Sequence, residues 1–499
     1  MWYSFYWISE ARNVIKDKVN NYKQTFGDSP LLERKAKNVI YFLGDGMGLS
    51  TITAARIYKG NKDAIRDPTD GFLAFEKFPF SGFVKVNAMD RLVADSASSS
   101  TAYLRGVKAN FRTLGVTGRV NISDCKASLV PKNRITSIFD WAHSKGKHTG
   151  FVTTTRVTHA TPAGLYSHSA NRDWESKVGA SGGCQDIAHQ MIHGETAKNI
   201  RVMMGGGKRE FFPVDCGSHC ESGKRTDGRN LVAEWLKQKS VRNLRARYVT
   251  TDKQLSALST KDTDFVLGLF SYNHIPFNLE RNSSSTEPTL SRMVAKAIQL
   301  LRKNKEGYFL FVEGGRIDHA HHDNKAKLAL QETYEFNKAI ETAMSMIDIE
   351  DTLVVVTSDH SHSLTINGYQ SRNADILGVS DHATESHTTL LYGNGPGAKI
   401  QKSRRKRSSE DTTSKSYRQK SAAYHGSATH AGEDVPIYAT GPGAFMFTGV
   451  VDQTYIPHAI SYVTCTGHQD SLCSSADKLF APLTLILLFF RLSCKLQAF

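Results

Sequence analysis

The densest chemistry in the chain lies in Glu313-Gly-Gly-Arg-Ile-Asp318-His319-Ala-His321-His322. With a helix beginning just after the two glycines, Asp318 and His322 stand i and i+4 on one face, a carboxylate and an imidazole able to grip one metal ion. Glu313 is left at the end of the preceding apolar run, where it suits a harder ion such as Mg2+. So many titratable groups in one turn argue against a merely solvated helix start. Asp359-His360-Ser361-His362 follows another apolar run directly and can hold a second zinc. Asp45, between Gly44 and Gly46, is placed to bridge two ions, although Gly-Asp-Gly alone is an ordinary turn. His430, in Thr-His430-Ala-Gly-Glu-Asp, carries little by itself.

The nucleophile candidate is Ser96, in Val93-Ala-Asp95-Ser96-Ala-Ser-Ser-Ser-Thr101. Small hydroxyl residues running into Ala-Tyr-Leu read as a loop turning into a helix. Ser96 then sits where free N–H groups and the helix dipole favour a phosphate and an alkoxide. No histidine base is required, because a metal lowers the pKa of a coordinated hydroxyl as it does that of water. A serine-rich cap or linker is the commoner meaning of such a run, and these residues alone leave it open. Arg172, in Asn171-Arg172-Asp173-Trp174, offers a planar fork for two phosphoryl oxygens, as any arginine does.

These groups need a frame. Asn38–Leu43, Ile200–Met204, Tyr308–Val312, Thr352–Val356 and Thr389–Tyr392 are continuous apolar runs that stop at glycines or at the polar clusters, and Gly150-Phe-Val leads through a threonine tract to His159. Runs of this kind are strands buried on both faces. Amphipathic stretches between them, such as Leu290–Leu301 and Lys325–Ile347, predict helices. Strand–helix alternation gives an α/β fold with a largely parallel central sheet sandwiched between helices, and ligands bind at the carboxyl ends of such strands. Residues 368–429, rich in Ser, Gly and charge, read as a small surface subdomain inserted late in the chain. No internal repeat is evident.

The chain of 499 residues is 40% hydrophobic and 22% charged, which excludes disorder, collagen and coiled coil as whole-chain readings. Its net charge of +15 speaks to partners such as acidic substrates, membranes or nucleic acid, and not to fold. Seven cysteines, at 125, 184, 216, 220, 465, 473 and 494, include no CxxC pair. An odd count at wide spacing suits an extracellular chain with a few disulfides and one spare thiol. The sequons Asn121-Ile-Ser123 and Asn282-Ser-Ser284 fit that compartment, but residues 1–7 show no signal-peptide pattern. Residues 479–490 are almost wholly apolar yet too short to span a bilayer as a helix. Preceded by Ser474, Ser475 and Ala476, they resemble a glycolipid-anchor signal; a buried terminal helix is the alternative. The basic run Lys402-Ser-Arg404-Arg405-Lys406-Arg407 reads as a solvated loop, with a convertase cleavage site as its alternative.

Taken in order, Asp45-Gly-Met-Gly, Asp95-Ser96-Ala, Thr-Thr-Thr-Arg-Val-Thr-His159-Ala-Thr161-Pro, Val-Glu313-Gly-Gly-Arg-Ile-Asp318-His-Ala-His-His322, Asp359-His360-Ser-His362 and Thr-His430-Ala-Gly-Glu-Asp resemble animal, membrane-anchored alkaline phosphatase from about Trp7 through Cys473. The resemblance implies hydrolysis of small phosphate monoesters at alkaline pH through a phosphoserine on Ser96, with two Zn2+ and one Mg2+. Asp318, His322 and His430 match the first zinc site, and Asp359 and His360 the second. Asp45 bridges to magnesium, whose site Thr161 and Glu313 complete. Arg172 matches the phosphate clamp, supported by Asp95, while His159, His319 and His362 stand close behind the metals.

Other implications concern organisation. A helical arm over residues 1–30 belongs to a homodimer, and a catalytic domain spans 31–367 and 430–473. A crown-like insertion covers 368–429, and a tail over 474–499 carries the anchor. The expected place is the extracellular face of the membrane, or secretion, with no nucleic-acid partner. Cys125–Cys184 and Cys465–Cys473 match family disulfides, and Cys216 and Cys220 look like an extra local pair. The family's fourth, calcium-type site is doubtful: Ser271 follows Phe270 where a Glu ligand is expected, Glu287 replaces an Asp, and Glu221 aligns loosely. Arg105 replaces a cysteine typical of vertebrate relatives. Two rivals remain, a phosphodiesterase or nucleotide pyrophosphatase of the same superfamily and a dead binding protein. The first is disfavoured by Ser96, Arg172 and the magnesium ligands, the second because no zinc ligand is lost.

Overall fold

Each central apolar run becomes a strand whose alternate residues enter two different cores. In β1 (Asn38–Gly44), Val39, Tyr41 and Leu43 join one core, and Ile40 and Phe42 the other. This period of two is what a strand covered on both faces requires. The computed structural model describes residues 2–27, 32, 34–179, 182–215, 221–379, 387–398 and 411–473. Beyond β1 its strands are β2 (Phe80–Lys85), β3 (His148–Arg156), β4 (Ile200–Gly206), β5 (Ala246–Val249), β6 (Phe265–Leu269), β7 (Tyr308–Gly314), β8 (Thr352–Thr357), β9 (Ser361–His362), β10 (Leu364–Ile366), β11 (Leu390–Gly395), β12 (Ser421–Tyr424), β13 (His430–Ala431), β14 (Val435–Thr440) and β15 (Gly449–Asp452).

Ten of these strands form one sheet in the order β15-β2-β14-β8-β1-β7-β3-β4-β6-β5. Its pairings are parallel except where β14 runs against β2 and β8. On one face lie the helices Ile138–Ser144, Ile187–His193 and Tyr455–Thr464; on the other lie Leu49–Lys62, Leu290–Leu301 and Ala326–Met344. The last of these stops short of Ile347: Ser345 caps it, and Met346 and Ile347 pack onto the core from the following loop.

Register matters most for function. Leu43 pairs with Glu313 on β7 and with Thr357 on β8, and Thr153 on β3 also pairs with Glu313. The carboxyl ends of β3, β7, β1 and β8 are therefore level and adjacent, so the polar residues that follow them emerge side by side.

A second sheet, β10-β11-β12, takes its first strand from residues ahead of Gly368. A third, tiny one pairs β13 with β9, setting His430 opposite His362. The helix Trp2–Phe26 buries Ala11 and Ile15 against the core and packs the Tyr22 ring against that of Phe445. Disulfides join Cys125 to Cys184 and Cys465 to Cys473. Cys216, Cys220, Cys494, the basic run 402–407 and the tail 474–499 lie outside the described residues. Among those described, no helix is long and apolar enough to cross a membrane.

Candidate active site

Four carboxylates, Asp45, Glu313, Asp318 and Asp359, are buried together at the level strand ends. The turn after β1 makes this approach possible through glycine. Gly46 has φ +68°, and a Cβ there would come within 2.7 Å of the His362 ring. Its N–H donates to Asp359 Oδ1 at 3.1 Å. Glu313, still within β7, accepts from the hydroxyls of Thr153 and Thr155 on β3. The helix Arg316–His322 begins just beyond the glycines and presents Asp318 and His322 on one side, with His322 Nε2 3.3 Å from Asp318 Oδ2.

Two further histidines arrive from distant segments. His430 Nε2 lies 3.4 Å from Asp318 Oδ1, and His362 Nε2 lies 2.5 Å from the same oxygen. Backbone carbonyls orient the outer nitrogens: His322 Nδ1 donates to Ala428 O and His430 Nδ1 to Ala94 O. Asp318, His322, His362 and His430 thus form one set of metal-capable atoms within 4.8 Å of one another; Asp45, Asp318 and His360 form a second, and Asp45, His159 and Glu313 a third. Asp359 joins the second set through His360, whose Nε2 is 3.1 Å from Asp359 Oδ2 and 3.6 Å from Asp45 Oδ1.

These residues suit metal ions. Both carboxylate oxygens of Asp45, Glu313 Oε1, Thr161 Oγ1 and His159 Nδ1 are buried without a hydrogen-bond partner in the protein. Buried acceptors left this way are costly. Burial, then the charges of Asp359, Asp318 and Glu313, push the Asp45 carboxyl well above its usual range. Burial likewise pushes Glu313 up to about 7, against the hydrogen bonds from Thr153 and Thr155. Divalent cations relieve both problems. The nitrogen-rich set around Asp318 fits zinc, and the oxygen-rich set at Asp45, Glu313 and Thr161 fits magnesium.

Beside this cluster, Ser96 is the first residue of the helix Ser96–Arg105. Asp95 caps that helix, accepting from the N–H groups of Ala97 and Ser98 and from Ser98 Oγ at 2.8 Å. Those N–H groups, expected from the sequence to face a phosphate, are therefore already occupied. Asp95 also accepts from the Arg112 N–H at 2.9 Å and from Arg172 Nη1 at 2.9 Å. Burial raises the Asp95 carboxyl, but Arg172 and these hydrogen bonds outweigh it and hold it below its ordinary value. Arg172 Nη2 lies 3.2 Å from His159 Nε2, so Asp95 and His159 fix the guanidinium from two sides. The Ser96 hydroxyl lies 3.2 Å from His360 Nε2.

The serine-rich run is no linker: every residue from Ser96 to Arg105 is buried. Small side chains let this helix meet the segment carrying Thr161, since a Cβ on Gly164 would fall 2.5 Å from Ser100 Oγ. Arg105, fully buried, fastens the helix end by donating to the carbonyls of Gly164, Ile135 and Ser167.

Residues 36–466 match the family model for alkaline phosphatase. The chain belongs to the alkaline phosphatase family. It is 42% identical over 507 residues to the tissue-nonspecific alkaline phosphatase of Gallus gallus, covering 98% of this chain and 95% of that one. Against the human tissue-nonspecific isozyme it is 42% identical over 509 residues, covering 98% and 94%. The membrane-bound alkaline phosphatase of Bombyx mori is 40% identical over 490 residues, covering 94% and 87%. Among solved structures, the alkaline phosphatase of the Antarctic bacterium TAB5 superposes with a TM-score of 0.60 at 23% identity, over 87% of this chain and 99% of that one. The cold-active enzyme of Shewanella sp. gives 0.60 at 25%, over 86% and 99%. As an alkaline phosphatase, this protein is a phosphomonoester hydrolase with a buried metal-binding centre.

Within the enzyme, sequence reasoning missed the contacts of four neighbours of this centre. His274, after β6, has its ring centroid 4.3 Å from that of His319 and 5.5 Å from that of His159; nothing local in Tyr-Asn-His-Ile-Pro marks it. Thr153 and Thr155 were visible only as part of a threonine tract. His321 was visible in its motif, but not its contacts. Of the calcium-site candidates, Glu221 is paired with Lys208 at 2.6 Å. None of the metal-capable groups among the described residues includes Glu221 or Glu287.

Proposed function

We propose that this alkaline phosphatase transfers the phosphoryl group of a small monoester to Ser96 and then to water. Asp318, His322 and His430 would hold one zinc ion and Asp359 and His360 a second, while Asp45, Thr161 and Glu313 would hold a magnesium ion. The observation that carries this reading is the Ser96 hydroxyl, buried at a helix start 3.2 Å from His360 Nε2 and beside the four buried carboxylates of the metal-capable cluster. When bound, the metals supply Lewis-acid stabilisation of the oxygens on phosphorus and lower the pKa of a hydroxyl they touch.

The chain's own residues do the rest. Asp95 orients Arg172, whose fork grips two phosphoryl oxygens and neutralises charge as the transition state forms. The rigid helix start holds Ser96 Oγ in line with the scissile P–O bond. Attack releases the alcohol and leaves phosphoserine, and water cleaves that ester to inorganic phosphate. His159, His319 and His362 orient Arg172 and the ligands. Comparing p-nitrophenyl phosphate with its bis ester tests this reading: rapid, chelator-sensitive hydrolysis of the monoester supports it, and a preference for the diester overturns it.

The catalytic domain takes residues 31–367 and 430–473, and 368–429 form the crown-like insertion. The arm over residues 1–30 joins two copies; its helix leaves Phe5 and Phe26 about two-thirds exposed. Two disulfides favour an oxidising, extracellular setting. The membrane-bound relative in Bombyx mori supports attachment to a membrane, and the anchor-like composition of the tail 474–499 supports a glycolipid as its means.

A further inference from the structure

His321 lies between Asp318 and His322 in sequence but turns away from the metal cluster. It is fully buried, and both ring nitrogens are engaged: Nδ1 lies 2.7 Å from the Tyr392 hydroxyl and Nε2 3.0 Å from Thr51 Oγ1. No lone pair is left for a metal, so the ring is not a ligand despite its place in a His-rich run. An imidazole bridging two hydroxyls is satisfied in either tautomer, because each hydroxyl donates or accepts as required.

The three anchored pieces each bear on the cluster. His321 belongs to the helix that carries Asp318 and His322. Thr51, 1% exposed, is in the first turn of Leu49–Lys62, the helix that directly follows the Asp45 turn. Tyr392, 2% exposed, is on β11, whose partner β10 pairs Leu364 with it and is separated from His362 by one residue. The His321 and His362 rings are 5.0 Å apart, and His362 in turn holds Asp318. One buried ring therefore ties together the segments bearing Asp45, Asp318 with His322, and Asp359 to His362.

The geometry points to His321 as a positioning residue that, with Thr51 and Tyr392, pre-sets the spacing between the two halves of the metal cluster and so tightens metal retention. This inference rests on the zinc assignment above. Carboxylates that repel one another drift apart unless their backbones are held, and a held site loses less freedom on binding a metal. Neither hydroxyl touches a ligand or substrate, so its loss should weaken metal holding and leave the chemistry of the loaded enzyme intact.

The test compares wild type, Tyr392→Phe, Thr51→Val and the double variant as metal-loaded full-length enzymes. Zinc affinity is read by competition with a chelator of known affinity, alongside zinc content, kcat at saturating zinc and the unfolding temperature of the metal-free forms. Each single variant should release zinc at about tenfold lower chelator concentration. Excess zinc should restore kcat to near the wild-type value, and the metal-free unfolding temperatures should stay close together. Variants that hold zinc as tightly as wild type would overturn the brace, as would weakened retention that excess zinc cannot rescue. Should one variant fail to fold, the other carries the same comparison. A wild-type enzyme that binds no zinc would instead overturn the zinc assignment itself.

Discussion

Nε2 of His360 stands 3.2 Å from the Ser96 hydroxyl. The same nitrogen lies 3.1 Å from Asp359 and 3.6 Å from Asp45, so one imidazole links the nucleophile to two carboxylates of the metal cluster. In a serine hydrolase such a histidine is a base. Here the surrounding carboxylates suit the ring to holding a metal ion, which would supply the activating charge.

Removing the metals should therefore abolish activity and also destabilise the fold. Chelation leaves Asp45, Glu313, Asp318 and Asp359 buried together with only His322, His360 and Arg172 as opposing charge, and bound metal stabilises by mass action. Activity is expected to return with zinc plus magnesium, and the unfolding temperature to drop by several degrees in the metal-free form. Activity assays and calorimetry with and without chelator check the two. An unfolding temperature indifferent to chelation would contradict the assigned role of the cluster.

Arg172 and Asp95 should differ in a diagnostic way. Arg172→Ala removes the phosphate fork, and kcat/KM for p-nitrophenyl phosphate should fall about a hundredfold. Inhibition by inorganic phosphate should weaken in parallel. Asp95→Asn keeps an acceptor at the Oδ1 position for the Ser98 N–H but loses the Oδ2 acceptor shared by Ala97 and Arg172 together with the charge, so a loss of about tenfold is expected. Steady-state rates with phosphate as inhibitor separate the two.

How far the site could be read from sequence depends on the range of the contacts. Asp318 and His322 were legible because a helix period alone brings them together. Asp45 and Asp359 needed the strand order β8-β1-β7, which no local pattern encodes. The pairing of His430 with His362 joins two two-residue strands, too short to leave a periodic signal. The serine run was ambiguous because small hydroxyl residues suit both a linker and a helix packed at close range; its complete burial and the approach of Gly164 to Ser100 decide between them. The donors expected for phosphate at that helix start were misread because Asp95 looks the same in sequence whether it caps the helix or points away. His321 meets Thr51 and Tyr392 across 270 and 71 residues, beyond any motif.

Glu332 gives a pH signature apart from catalysis. It is nearly buried, accepts from the Asn278 N–H at 2.6 Å, and is pushed from the ordinary 4.5 up to about 7 by burial, against Arg316 and Arg281. A raised carboxyl holds its proton in the folded state while the unfolded chain releases it. Stability is therefore unaffected below about pH 4.5, falls as pH rises to about 7, and stays lower above that. The full loss is about 3 kcal/mol. Glu332→Gln keeps the acceptor without the charge, so its stability advantage over wild type should grow across that window. Urea unfolding at pH 5 and pH 8, at fixed metal content, measures it; an advantage equal at both would refute the account.

The Cys125–Cys184 bridge closes a loop with a separation of 59 residues that contains His159, Thr161 and Arg172. Replacing both cysteines by serine should cost about 4 kcal/mol through the unfolded chain. Activity should survive at low temperature and be lost on warming before that of the wild type. Thermal inactivation of the two proteins, side by side, provides the comparison.

The central claim is that Ser96 takes the phosphoryl group. Enzyme mixed with a radiolabelled phosphomonoester, quenched in acid and digested with trypsin, should carry acid-stable label on the peptide spanning 92–105. The Ser96→Ala variant should carry none there and turn over substrate at least a thousandfold more slowly. Label on another peptide, or undiminished hydrolysis by Ser96→Ala, would contradict it.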